Sequence, residues 1–183
     1  MRKMTEDKSI INAMRNDMPM GFRLLMKKYE QPLYWHIRRM VVTYDDAQDV
    51  MQETLVRAFR FFSQYDEGKS LKSWLYHIAT NESLRHLGRL QGKSMMSLDD
   101  VSPIDVAMTD GNAYYDSSDE IAAKLQRAIQ SLPAKQQLAF NLRYYDELSY
   151  DEIAEITGVS ATSMKANYHV AKEKITYYMN HND

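Results

Sequence analysis

The chain has 183 residues, 44% of them hydrophobic and 26% charged, which excludes an extended disordered protein and allows one moderate domain or two small ones. It contains no cysteine, so disulfides and thiolate metal sites are excluded. No apolar run approaches the ~18 residues of a membrane span, so no membrane insertion is expected. The opening Met1–Asp7 is charged with no apolar stretch behind it, which argues against a signal peptide and for a cytoplasmic protein. A net charge of −2 on its own speaks against nucleic acid, but the distribution does not. Residues 1–89 hold 15 Lys and Arg against 11 acids, residues 90–120 hold one Lys against seven acids, and residues 121–183 hold seven of each. A basic front, an acidic middle and a mixed end indicate two modules and a connector.

Glycine and proline number six and four, and helical spacing dominates throughout. An early helical pair is expected over about 6–42, and a third helix over about 45–62. The third has Ala47, Val50, Met51, Thr54, Leu55, Ala58, Phe59 and Phe62 on one half and Asp46, Asp49, Glu53, Arg57 and Arg60 on the other. The polar stretch Ser63–Lys69 breaks the pattern. A fourth helix follows from about Ser70 to Arg89, with Leu71, Trp74, Leu75, Ile78 and Ala79 as its buried stripe. Periodicity then fails over 90–118, which contains Gly92, Pro103 and Gly111, and this reads as an acidic linker. It resumes at Glu120, and Pro133 suits the first turn of a further helix, where its missing N–H costs nothing.

The strongest local signal runs from Leu148 to Ser160. Ser149 and Glu152 form a capping-box pattern that starts a helix of about two turns. Gly158 tolerates the left-handed conformation that ends it, Val159 plugs the angle between helices, and Ser160 caps the next helix. Ala154 is small where the two helices cross. The second helix carries Met164, Tyr168, Ala171, Ile175 and Tyr178 on one face, and its outward arc holds Thr162, Ser163, Lys165, Ala166, Asn167, His169, Val170 and Lys172. A short helix, a glycine turn and a longer polar-faced helix form a helix-turn-helix, whose hydroxyls, amide and lysines suit base edges and phosphates. A helical hairpin with a solvated face is the blander alternative, and it does not require Gly-Val-Ser at that turn.

Two N-terminal motifs carry a resemblance. Asp46-Ala47-Gln48-Asp49-Val50-Met51-Gln52-Glu53-Thr54 and Trp74-Leu75-Tyr76-His77-Ile78-Ala79-Thr80-Asn81 resemble signatures of the extracytoplasmic-function sigma factors, a group of the sigma-70 type. Ser131-Leu132-Pro133 and Leu142-Arg143-Tyr144 are similar to that group's C-terminal module. The resemblance covers about residues 20–89 and 120–178. It implies an all-α protein of two small helical domains, 1–89 and 120–183, joined by a flexible acidic linker at 90–119. It further implies a non-enzymatic protein that directs promoter-specific initiation, with core RNA polymerase, promoter DNA and an anti-sigma factor as partners.

The resemblance implies polymerase binding by Asp46, Asp49, Gln52, Glu53 and Arg57. It implies -10 reading and opening by the next loop and helix, for which Phe62, Tyr65, Lys72, His77, Asn81, Arg85 and Arg89 supply stacking aromatics, cations and an amide. The -35 element would fall to Ser160, Thr162, Ser163, Lys165, Asn167, His169 and Lys172. Arg85 stands where the group often has an acid, and Asn167 and Val170 replace frequent basic residues, which shifts readout toward Lys165, His169 and hydroxyls. The Gly88–Ser94 stretch has one residue too few between its glycines for a phosphate-binding loop. The histidines lack ligand spacing, so neither metal nor cofactor is expected. A helix-turn-helix regulator with a sensing N-terminal half and a protein-binding adaptor are the competing readings, and both N-terminal motifs count against them.

Overall fold

The computed structural model describes residues 2–41, 43–92 and 120–181. The linker expected over 90–119 therefore falls almost wholly outside the described residues. Among those residues the secondary structure is helical: α1 (Arg2–Asn16), α2 (Met18–Met40), α3 (Tyr44–Phe61), a 3-10 turn (Phe62–Gln64), α4 (Leu71–Leu90), α5 (Glu120–Gln130), α6 (Ala134–Tyr144), α7 (Tyr150–Thr157) and α8 (Ala161–His181).

Side-chain caps start five of these helices. Asp17, Thr43 and Ser70 each accept a backbone N–H at the start of α2, α3 and α4. Ser149 and Glu152 form the full reciprocal box on α7, and Gly158 closes that helix at φ 74°. Ser160 accepts from Ser163 N to start α8. At the other end of α2, Arg38 donates to the Val41 carbonyl and satisfies an acceptor just past the last turn.

Helices α1 to α4 pack round Leu25, Leu33, Ile37, Ala47, Leu71, Leu75 and Ala79. A separate cluster of Ala128, Ile129, Leu132, Phe140, Ala171 and Ile175 holds α5 and α6 against α8. The first core does not stop at the module boundary. Leu142, Leu148, Ile153, Ile156 and Met164 are buried in it, each contributing ~1.5–3 kcal/mol on leaving water. This explains the weak one-sided pattern of α4. It is buried on one side by α2 and α3 and on the other by α7, so Tyr76, Thr80, Glu82, Ser83, Leu84 and Leu87 join the expected stripe as buried residues.

Candidate functional site

The exposed edge of α3 presents Asp49, Gln52 and Glu53 to solvent, as its amphipathic spacing requires. Two neighbours on that edge are tied down. Asp46 lies 3.3 Å from His86 Nε2, and its backbone N–H caps on Thr43. Arg57 reaches Glu53 at 3.2 Å and the buried Glu82 at 2.7 Å. Arg85 meets the same Glu82 oxygen at 2.8 Å. Glu82 is 3% exposed, and a carboxylate removed from water needs such partners, so Arg57 and Arg85 both neutralise a charge inside the module. Phe59, expected in the core, is instead 47% exposed and meets Phe22 edge to face at 5.3 Å. With Val56 it forms an apolar border to the acidic edge. Of the apolar set expected on this helix, Phe59 is the member that the neighbouring helices leave exposed.

The loop after α3 also departs from expectation. Phe62 and Tyr65, expected to stack on bases, are each 8% exposed and face inward. They stack on one another at 5.9 Å, and both rings border Trp74. The Tyr65 hydroxyl donates to the Lys69 carbonyl at 2.6 Å and pins the loop. In this structure these aromatics hold the loop to α4 instead of presenting a stacking surface. Solvent meets Ser63, Gln64, Asp66 and Glu67, and Arg89 stands exposed at the far end of α4.

Along α4, His77 and Asn81 form a relay. Asn81 Nδ2 donates to His77 Nε2 at 3.0 Å, which requires the proton on Nδ1, and Nδ1 donates to the Ile156 carbonyl at 3.0 Å. That carbonyl lies in the last turn of α7, where no intrahelical donor remains for it. Lys72 donates to the Asp146 carbonyl at 2.5 Å. The outer side of α4, expected to face DNA, is thus engaged by the second module.

On α8 the outward arc is open. Thr162, Lys165, His169 and Lys172 are exposed, as is Ser160 at the cap, while Ser163 and Asn167 are half-buried. Asn167 donates back to the Ser163 carbonyl at 2.9 Å, His169 Nε2 lies 3.2 Å from Glu173, and Lys172 sits 5.5 Å over the Tyr168 ring. Met164, Ala171 and Ile175 anchor the opposite side.

Asp146, in the turn between α6 and α7, carried no signal in the sequence. Its carboxylate is 5% exposed and enters the first module. Tyr76 donates to it at 2.9 Å, Arg39 at 3.5 Å, and His36 Nδ1 lies 3.9 Å away. Burial raises the Asp146 pKa above its ordinary value, against the lowering effect of Arg39. Burial, with Arg39 second, pushes His36 down to about 3, so the ring is neutral. Among the described residues no cluster of three or more His, Asp and Glu side chains could hold a metal ion, and no helix is long and apolar enough to cross a membrane.

Residues 25–93 match the sigma-70 region 2 family and residues 117–175 match sigma-70, region 4. The chain is 29% identical to the RNA polymerase sigma-H factor of Pseudomonas aeruginosa, over 93% of this chain and 92% of that one. It is 29% identical to the ECF RNA polymerase sigma factor SigW of Bacillus subtilis, over 85% and 87%. The ECF RNA polymerase sigma-E factor of Escherichia coli is 28% identical, over 96% and 95%. In fold the chain is similar to CnrH, solved in complex with the cytosolic domain of CnrY, at TM-score 0.71, 15% identity and coverage of 97% and 99%. It is also similar to sigma factor RpoE from Bartonella quintana, solved with the anti-sigma factor NepR, at TM-score 0.65, 24% identity and coverage of 88% and 98%. A short capped helix, a left-handed glycine and a polar-faced helix in one module, with the α3 and α4 signatures in the other, occur here in the order those matches require: the chain belongs to the extracytoplasmic-function group of the sigma-70 family.

Proposed function

We propose that this chain binds core RNA polymerase and directs promoter-specific initiation, with α3 as the polymerase contact, α4 as the -10 reader and α8 as the -35 reader. One observation carries the reading: a single chain presents an acidic, apolar-bordered edge on α3 and, on the other module, an open helix-turn-helix arc with Lys165, His169 and Lys172. The first suits a protein partner, the second the edges and phosphates of duplex DNA. The polymerase contact is centred on Asp49, Gln52 and Glu53 and extends over Val56 and Phe59. No catalytic role is assigned to the chain, and it acts in the cytoplasm, where polymerase is. An anti-sigma factor is its restraining partner, by analogy with the Bartonella quintana RpoE complex.

The test is run-off transcription by core polymerase with the purified chain added. Promoter-dependent transcripts are expected, and a helix-turn-helix repressor or an adaptor would yield none. Reversing charge at Asp49 and Glu53 together should weaken co-purification with core polymerase while helicity is unchanged, because neither residue is in the core. Undiminished co-purification would remove α3 from the contact.

A further inference from the structure

The second module is fastened to the first by a carboxylate whose side-chain partners all lie across the boundary. Asp146 comes from the α6–α7 turn; Tyr76 comes from α4, and Arg39 and His36 from α2. Lys72 of α4 takes the carbonyl of the same residue. Glu147, next in the chain, has φ 55°, a left-handed conformation uncommon for a residue with a Cβ. Its neighbour's carboxylate is turned inward at that turn. A buried charge of this kind adds little stability over an apolar pair but strongly penalises any arrangement that leaves it unpaired. It therefore selects one docking geometry.

That geometry employs the groups assigned to -10 reading. Lys72 is committed to Asp146, and the Asn81 amide and His77 ring form a hydrogen-bonded relay ending on the Ile156 carbonyl of α7. Ser70, at the start of α4, also donates to Glu152 of α7 at 3.3 Å. Bases read by these side chains would have to compete for the same donors while α7 lies alongside. Asp49, Gln52 and Glu53 on α3 and the arc on α8 stay exposed in the same state.

We propose that the chain restrains itself: the Asp146 clasp docks α7 on α4 and withholds Lys72, His77 and Asn81 from -10 DNA, while the polymerase edge and the -35 helix remain accessible. This rests on the function proposed above. Polymerase or promoter DNA shifts the equilibrium only if it binds the open chain better than the closed one.

The chain has no native cysteine, so Arg60→Cys and Lys174→Cys, both at exposed positions, place one spin label on each module of the full-length protein. Distances between the labels are then measured with no partner present. The intact clasp should give one narrow distribution. Asp146→Ala strands the Tyr76 hydroxyl, and the open-to-closed ratio should rise at least about tenfold, seen as a second, longer population. Tyr76→Phe changes only the other module and should move the distribution the same way, so it decides the matter if Asp146→Ala loses helicity. Asp146→Ala should also bind a single-stranded -10 oligonucleotide more tightly than the parent. A parent distribution already broad, or one unchanged by Tyr76→Phe, overturns the clasp even if the chain initiates transcription. If the distances open but the parent never initiates with core polymerase, the clasp stands and the proposed function falls.

Discussion

Two arginines, Arg57 and Arg85, point outward by spacing and inward by need. Both meet one oxygen of Glu82, the first at 2.7 Å and the second at 2.8 Å. Replacing Glu82 by Ala should cost about 1–3 kcal/mol, because it removes a buried hub and leaves two guanidiniums to find water. For a chain of this size each kilocalorie lowers Tm by roughly 2–4 °C, so a calorimetric drop of several degrees is expected. Loss of polymerase binding in Arg57→Ala must therefore be compared with Glu82→Ala, and equal losses would assign Arg57 to the scaffold. His36 gives a second test, through pH. Its pKa is about 3 in the fold and 6.5 when exposed, so the unfolded chain binds more protons between those values. Stability conferred by the neutral ring is complete above 6.5 and is lost as pH falls, at up to about 1.4 kcal/mol per unit. Asp146 opposes this, because burial raises its pKa and the folded chain then holds a proton that the unfolded chain has released, so the comparison with His36→Gln isolates the ring. Denaturant midpoints should fall between pH 7 and 5 in the parent and fall less in His36→Gln. Parallel curves would mean the ring is not held neutral by burial.

Glycines at two helix junctions separate conformational from steric constraint. Gly158 adopts φ 74°, and a Cβ there would meet nothing within 4 Å, so Gly158→Ala should cost only the left-handed backbone, about 1 kcal/mol. Gly21 lies in an ordinary helix, where Ala would be favoured by propensity alone. A Cβ there would run into the backbone of Met14 and Ala13, so α1 must shift. Gly21→Ala should therefore lower Tm more than Gly158→Ala, by several kilocalories' worth of displaced packing, and the reverse order would refute the close approach of α1 to α2. The elements readable from sequence were those set by local chemistry. Ser149, Glu152, Gly158 and Ser160 define the helix-turn-helix within twelve residues, and Thr43 and Ser70 start α3 and α4 in the same way. Periodicity also found the acidic edge of α3. It could not separate Phe59, half exposed beside Phe22, from Phe62, one turn on and inside. It gave α4 a free outer side because helical spacing describes a helix against one neighbour, and α4 has neighbours on two sides. Asp146 was invisible for a related reason: an acid in a turn looks solvated unless the partners awaiting it, 70 and 107 positions back in the chain, are known.

The division of labour between modules belongs to the whole molecule. Lys165 and His169 stand on an exposed arc, whereas His77 is bonded to the Ile156 carbonyl of α7 and Asn81 is bonded to His77. His169→Ala should change which duplex -35 sequences are preferred, by roughly 1–3 kcal/mol for a direct base contact, and should leave strand opening on a strong -35 element unaffected. Asn81→Ala should spare recruitment to the -35 element and impair opening, measured as lost permanganate reactivity of unpaired -10 thymines. A template supplied already melted over the -10 region separates the two steps, because it removes the need to open strands but not the need to find the upstream duplex. It should restore initiation by Asn81→Ala to the extent that opening was the defect, and do little for His169→Ala. Equal rescue of both variants would mean that α4 and α8 do not act on different steps, and the residue assignments on both helices would have to be redrawn around a shared surface.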